Sequence, residues 1–465
     1  MEPKITEDTL RALGLVFPVF SGVQIDLTAV SRSVPDGNKR SASLCNHNCT
    51  SEVGGYTCPA AFTRNRGVKP RFASGEELLL RIEMGRNGLM LARNAFLKDH
   101  FADYCRLFAV PAAVQAILAR SLQSDLCEVN LFGGNPEMHP EVTELIRKLK
   151  ARDFRVNLTT TGRRFITDRQ FVGEFAASPA HLLALSADDF DPARLDELFQ
   201  MPLGELAATW KQINPLYGQA QKFAEGVYAA RLVQERNIQT QVLFNMVLHA
   251  GNLRHIRRII AAIAKHLPGA LVNPYSAQDS FVGGDGHLFS AEDIAEFAGL
   301  VEYFIYETRR GNPNLTKRIQ YWLVMEAVLE IFQEDPAAAS KLIAGHRIWR
   351  CYQEEPIPGA GMYLQIGRGN PVNFMQSGNG AMQPGGYPGC YWNDITVTGP
   401  SPVSSADQVA RHLLGGMQML AARAAEPCPG CSMPRLWFNM ITTELGLNSE
   451  LRASYLQLRQ RHVGF

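Results

Sequence analysis

Long apolar runs are missing from this chain. No stretch of about 18 consecutive apolar residues occurs, so a membrane-spanning helix is not expected. A surplus of either charge is missing too. Lys and Arg number 46 against 45 Asp and Glu, a net charge of +1, which gives no support to a chain that grips nucleic acid through its phosphates. The opening residues, MEPKITEDTLRALGLVFPVF, lack the basic start and small-residue cleavage site of a secretory signal. The expected compartment is the cytoplasm, where thiols stay reduced. The Asn-x-Thr triplets at Asn48, Asn157 and Asn314 therefore read as chance matches rather than glycosylation sites. Compositional disorder is excluded as well. Hydrophobic residues make up 46% and charged residues 20%, an ordinary globular balance that supports a sizeable core.

What the chain does have is a strand–helix alternation. Strands are expected at Val23–Val30, Leu126–Phe132, Phe154–Thr159, His181–Ser186, Gln239–Leu248 and Ala270–Asn273. Between the second and third lies a helix with Val142, Leu145, Ile146 and Leu149 on one face; further helices are expected at Asp168–Ala177 and Leu253–His266. Residues 75–119 and 290–344 also read as mostly helical. Such alternation predicts parallel strands joined by right-handed crossovers. After Trp349 the chain becomes rich in Gly, Pro and Asn, which marks a boundary near residue 345. The expected organisation is an N-terminal segment (1–22), an α/β unit (23–290), a helical connector (291–345), a smaller C-terminal domain (346–435) and a tail (436–465).

Nine cysteines in a reducing compartment need an explanation other than disulfides. Cys45, Cys49 and Cys58 cluster near the front; Cys351, Cys390, Cys428 and Cys431 cluster near the rear. Three thiolates on one loop can hold three irons of a cubane cluster and leave the fourth open to chemistry. Zinc, with His47 inside the loop, and an unliganded loop are the alternatives. Cys428-Pro-Gly-Cys431 is a short chelating turn, to which Cys351 and Cys390 can add two ligands for an iron–sulfur cluster or for zinc. Cys127 reads as a small buried hydrophobe, and Cys105 as buried or as a hydrogen donor. Gly133-Gly134 ends the second strand, either to admit a ligand to the backbone or simply to turn it.

The order of these motifs resembles the radical S-adenosylmethionine (SAM) superfamily. The chain places CxxxC after the first strand, GGNPEMHPE after the second, VNLTTTG on the third and LSADDFDP on the fourth. The family's second motif is usually Gly-Gly-Glu-Pro, so Asn135 stands where a glutamate is common. Eight residues separate Cys49 from Cys58 where the family usually has two, and Tyr56 lies two positions before Cys58 rather than beside it. The resemblance implies a partial (β/α)6 radical SAM barrel with a smaller C-terminal α+β iron–sulfur domain. It further implies that Cys45, Cys49 and Cys58 hold a SAM-binding 4Fe-4S cluster. Gly133, Gly134 and Asn135 would meet the methionyl amine. Thr160 and Ser186 would contact the methionyl or ribose groups, or merely cap their strands; Asn245 is a further candidate.

The rear pattern resembles SPASM/Twitch extensions, which implies a second, auxiliary 4Fe-4S cluster on Cys351, Cys390, Cys428 and Cys431. The implied activity is reductive cleavage of SAM and hydrogen abstraction from a peptide or small-molecule substrate, with a flavodoxin- or ferredoxin-like reductant. A non-catalytic iron–sulfur or zinc scaffold is the competing class, and a radical SAM methyltransferase the competing enzyme. No catalytic acid or base is assigned: Asp188 and Asp189 read as a base near the site or as a solvated loop.

Overall fold

A computed structural model describes residues 20–27, 29–33, 39–43, 72–107, 112, 115–116, 119, 127–132, 135–212, 218–276, 290–316, 322–323, 325–326, 329, 362–366, 372–375, 386–388, 396–398, 405–411 and 414. The chain opens with β1 (Phe20–Asp26) and a hairpin of β2 (Ala29–Ser33) and β3 (Lys39–Ser43). Helices α1 (Gly75–Asp99) and α2 (Phe101–Leu107) follow, then β4 (Cys127–Phe132), a 3-10 turn at Pro136–Met138 and α3 (Val142–Lys150). Next come β5 (Phe154–Thr160), α4 (Arg163–Thr167), α5 (Arg169–Ala177) and β6 (Leu182–Ser186). Three helices, α6 (Leu195–Gln200), α7 (Leu203–Thr209) and α8 (Gly218–Glu235), lead to β7 (Gln241–Leu248). Then follow α9 (Leu253–His266), β8 (Leu271–Ser276) and α10 (Ala291–Arg309). Later come β9 (Met362–Ile366), β10 (Val372–Met375) and the pair β11 (Gly386–Pro388) and β12 (Thr396–Thr398).

The principal sheet runs β10-β9-β1-β4-β5-β6-β7-β8. From β1 to β8 all neighbours are parallel, so six strands pair in sequence order. Right-handed crossovers that always step the same way put every connecting helix on one face of the sheet. That is the winding of a (β/α) barrel, and it separates this sheet from doubly wound folds, where the order reverses. The α/β fold expected from the sequence is the fold observed.

The helix-facing side of the strands forms the core. Val129, Leu131, Val156, Leu158, Leu183, Leu185, Phe244 and Val272 are buried there. Helix α9 buries Leu253, Ile256, Ile259, Ile260 and Ile263, a spacing of three and four that keeps one stripe on the sheet. Each such isoleucine contributes about 1.5–3 kcal/mol on burial. Helix starts are fixed locally. Ser74 caps α1 by accepting from Glu77 N, Asp168 caps α5 by accepting from Phe171 N at 3.0 Å, and Ser290 with Asp293 forms a capping box on α10. Among the described residues no helix is long and apolar enough to cross a membrane.

Two strands differ from the sequence expectation. The run expected at Val23–Val30 divides, because the partner strand β4 ends at Phe132. The last ladder bond is Leu27 N donating to Phe132 O at 2.9 Å, after which Ala29–Ser33 folds back against Lys39–Ser43. The Pro-Asp-Gly at 35–37 is the turn signal for that hairpin. At the far side, β8 continues past Asn273 through Pro274. Proline is tolerated because β8 is the outermost strand, so its missing N–H breaks no ladder. The expected C-terminal domain lies mostly outside the described residues. Its described strands β9 and β10 extend the sheet at β1, β9 in parallel and β10 antiparallel to it.

Candidate functional site

The C-terminal ends of β4, β5 and β6 carry a buried polar cluster. Asn135, just past β4, is 1% exposed and precedes the 3-10 turn, whose Pro136 fixes the chain direction. Thr160, the last residue of β5, donates its hydroxyl to Asn135 Oδ1 at 2.8 Å. Glu137 is equally buried, and its Oε1 accepts from Arg164 N at 2.9 Å at the start of α4. Burial pushes the Glu137 carboxyl above its ordinary range, against the pull of that N–H. The Arg164 guanidinium in turn donates to the main-chain oxygens of Glu137 (2.9 Å) and His139 (3.2 Å), which locks the loop after β4 onto the loop after β5.

Gly162 makes the turn between β5 and α4 with φ of +94°, and a Cβ there would sit 2.8 Å from Glu225 O. Next to it Arg163 donates to Glu225 Oε1 at 2.7 Å while its guanidinium lies over the Trp210 ring. Glu225, on α8, is fully buried; burial raises its carboxyl to about 7 although the Arg163 charge works in the opposite direction.

His139 does structural work. Its Nε2 bonds Ala73 O at 2.8 Å and its Nδ1 accepts from Glu141 N at 3.1 Å, which fixes the neutral tautomer. Burial holds its pKa below the usual histidine value. Glu141 Oε2 also accepts from Gly75 N at 3.2 Å, so the loop after β4 is tied twice to the start of α1.

A second group lies at the ends of β6, β7 and β8. Ser186 is in register with Asn245, and Asn245 with Asn273. Asn273 Nδ2 donates to Asn245 Oδ1 at 3.0 Å, and the Thr316 hydroxyl donates to Asn273 Oδ1 at 3.2 Å. Thr160 pairs with Leu185, so Ser186 stands one residue beyond Thr160 on the neighbouring strand.

The solvated-loop reading of Asp188 and Asp189 does not hold. Asp188 is 3% exposed, accepts from Val247 N at 3.0 Å and lies 3.6 Å from Lys222 Nζ. Asp189 lies 2.8 Å from His255 Nδ1; burial raises its pKa, the histidine opposing. A carboxylate that anchors the backbone of the next strand was invisible in the sequence, since its partners are 34 and 59 residues away (222 − 188 and 247 − 188).

Of the sequence candidates, Asn135 and Thr160 are brought into direct contact and Ser186 and Asn245 are set side by side. Gly133, Gly134 and the seven cysteines Cys45, Cys49, Cys58, Cys351, Cys390, Cys428 and Cys431 lie outside the described residues. Among the described residues no cluster of His, Cys, Asp or Glu has the arrangement of a metal site. Cys105 and Cys127 are buried, and burial pushes the Cys127 thiol up to about 12, as befits a small core residue. Sequence reasoning missed Glu137, Arg163 and Glu225. Glu137 sits inside a motif already singled out (GGNPEMHPE) and Arg163 directly follows another (VNLTTTG), but Glu225 lies on a helix whose packing only the fold reveals.

No family model matches the chain, and no curated protein does. Twenty solved chains match. One is native anSMEcpe with bound AdoMet, 16% identical with a TM-score of 0.35; the match spans 66% of this chain and 66% of that one, just under two thirds of its length. The same protein with AdoMet and the Cp18Cys peptide is 11% identical with a TM-score of 0.43 over 95% of this chain and 97% of that one. TYW1 with a lysine-pyruvate adduct bound is 13% identical, TM-score 0.29, over 51% and 65%. All three scores are below 0.5, and the α/β class with its parallel sheet stands on the strands themselves.

Proposed function

We propose that this chain is a radical SAM enzyme acting on a peptide or small-molecule substrate. The observation that carries the reading is one of placement. The motif after the second strand and the motif ending the third, separate in sequence, meet as the buried Asn135–Thr160 pair at the carboxyl end of a sequentially wound parallel sheet, where such sheets bind ligands. The donor set suits a zwitterionic ligand end. The Arg163 guanidinium stands at the end of β5, held by Glu225.

When bound through the open iron of a 4Fe-4S cluster, AdoMet supplies one-electron chemistry at an unactivated C–H bond. Cys45, Cys49 and Cys58 are the proposed ligands of that cluster, and Gly133, Gly134, Asn135, Thr160, Ser186 and Asn245 the proposed AdoMet contacts. The Thr160 hydroxyl holds the Asn135 side chain in one rotamer, and Arg164 holds the main chain around it. The proposed role of Cys351, Cys390, Cys428 and Cys431 is a second, fully ligated 4Fe-4S cluster, with residues 346–435 as its domain and a flavodoxin- or ferredoxin-like protein as reductant.

The test is anaerobic reconstitution followed by iron analysis. The reading expects about eight irons per chain. Replacing Cys45, Cys49 and Cys58 by Ala should halve the iron and abolish AdoMet cleavage. Full cleavage by that variant would overturn the assignment.

A further inference from the structure

Glu137 is a buried carboxyl whose charge its surroundings leave unbalanced. Arg163 pairs with Glu225 at 2.7 Å, and Arg164 pairs with Asp168 at 2.9 Å while its guanidinium also serves two main-chain oxygens. On the same loop His139 is held in its neutral form by its two bonds, and Glu141 accepts from Gly75 N. Three carboxyls (Glu137, Asp168 and Glu225) therefore stand against two guanidiniums, and among the described residues no cation forms an ion pair with Glu137 itself. Glu225, across Arg163, adds a like charge.

The hydrogen bonds of Glu137 leave the same remainder. Oε1 accepts from Arg164 N, whereas Oε2 is buried with no hydrogen-bond partner. Burial raises the carboxyl above its ordinary range, and Arg164 N and the flanking Thr160 and Asn135 side chains offset this only in part. The single hydroxyl proton of Thr160 is already given to Asn135 Oδ1 at 2.8 Å. An ionised Glu137, 1% exposed, would thus keep one oxygen without a donor and a charge without a counter-ion. A proton on Oε2 removes both costs, and the resulting O–H can donate to the Thr160 oxygen, which has lone pairs to spare. The alternative to a proton is a positive charge supplied from outside. AdoMet carries one, a sulfonium, and in solution an ammonium beside its carboxylate.

We propose that Glu137 holds a proton while the site is empty and releases it to water when AdoMet occupies the Asn135–Thr160 pair. One proton leaves as one cationic group arrives, so the charge of the buried cluster stays balanced. Glu137 acts through Asn135 and Thr160 and is a positioning residue, not one that touches the ligand. The proposal rests on the radical SAM reading. It is tested by isothermal titration of AdoMet into the anaerobically reconstituted full chain at pH 7, in two buffers of different ionisation heat, which counts the protons released. Any proton lost by the ligand itself is common to native and variant protein and cancels between them.

The native chain should release about one proton more per AdoMet than Glu137→Gln, which keeps the shape and the acceptor for Arg164 N but has no proton to lose. By linkage, the native-to-variant ratio of AdoMet affinities should rise with pH, by up to ~10-fold per unit. Glu137→Asp restores a titratable carboxyl and should recover part of the proton release. A second measurement needs no variant: the infrared carbonyl band of a protonated carboxyl should be present in the empty native chain and weaken when AdoMet is added. Equal proton release by native protein and a folded Glu137→Gln, or a carboxyl band that AdoMet leaves unchanged, would overturn the proposal alone. Failure of the native chain to bind AdoMet would overturn the radical SAM reading and the proposal with it.

Discussion

His139 offers a quantitative test of how the loop after β4 is held. Replacing it by Leu removes a bond to Ala73 O and a bond from Glu141 N, each contributing about 0.5–1.5 kcal/mol net in this half-buried setting. It also removes the edge-on contact with Phe72 at 5.1 Å, a further ~0.5–1 kcal/mol. The loop and the start of α1 should therefore open more easily by about 2–3 kcal/mol. The assay is amide hydrogen exchange read over residues 72–80 and 139–150, which reports local opening without requiring that a protein with bound clusters unfold in one step.

Two further variants divide the effect. Gln can reproduce the Nε2 donor to Ala73, and Asn the Nδ1 acceptor from Glu141, so each should recover part of the loss. The pH dependence has a fixed sign. Burial depresses the folded pKa of His139, so its contribution is whole above the unfolded value of about 6.5. As pH falls below that value, the unfolded chain takes up a proton the folded one refuses. Stability then drops by up to ~1.4 kcal/mol per pH unit until the folded pKa is passed. A Leu variant that opens within 0.5 kcal/mol of the native protein (roughly the scatter of a neutral surface change) would refute this reasoning. An unchanged pH slope in that variant would refute it equally.

Glu225→Gln should respond to pH in the opposite sense, because burial raises the carboxyl from 4.5 to about 7. The native protein loses stability as pH rises through that window, by about 3 kcal/mol in all, so its melting-temperature advantage over the variant should shrink from pH 5 to pH 7.5; a growing advantage would be contrary. Gly162→Ala places a Cβ at a left-handed φ of +94° and 2.8 Å from Glu225 O, and should destabilise by at least ~2 kcal/mol in a thermal melt. A melt unchanged within a degree would mean the turn relaxes freely.

The strands were legible in the sequence because each carries apolar residues on its helix side at period two, bounded by turn residues, as in Phe154–Thr160 and Leu182–Ser186. The parallel pairing followed from the alternation, whereas the sequential strand order was what the family resemblance implied. The split after Asp26 was not legible, since strand length there is set by where β4 stops, a tertiary fact. The strand expected at Ala270–Asn273 runs on to Ser276 for a tertiary reason as well: whether a strand can hold Pro274 depends on whether that strand is at an edge. At the site, Asn135 and Thr160 were legible through motif order, whereas the Arg163–Glu225 and Asp188–Lys222 pairs join residues 62 and 34 positions apart (225 − 163 and 222 − 188) and carry no local signal. Asn157 is half-buried in β5 and Asn314 is 5% exposed, placements that the Asn-x-Thr triplets alone did not reveal.

The central claim is the chemistry at the carboxyl end of the sheet, and product release tests it most directly. The anaerobically reconstituted full chain is mixed with AdoMet and dithionite, and methionine and 5′-deoxyadenosine are quantified by liquid chromatography. The account predicts both products in equal amounts, dependent on reductant and lost when Cys45, Cys49 and Cys58 are replaced by Ala. A protein that holds its iron yet releases neither product would contradict the account and leave a non-catalytic iron–sulfur scaffold.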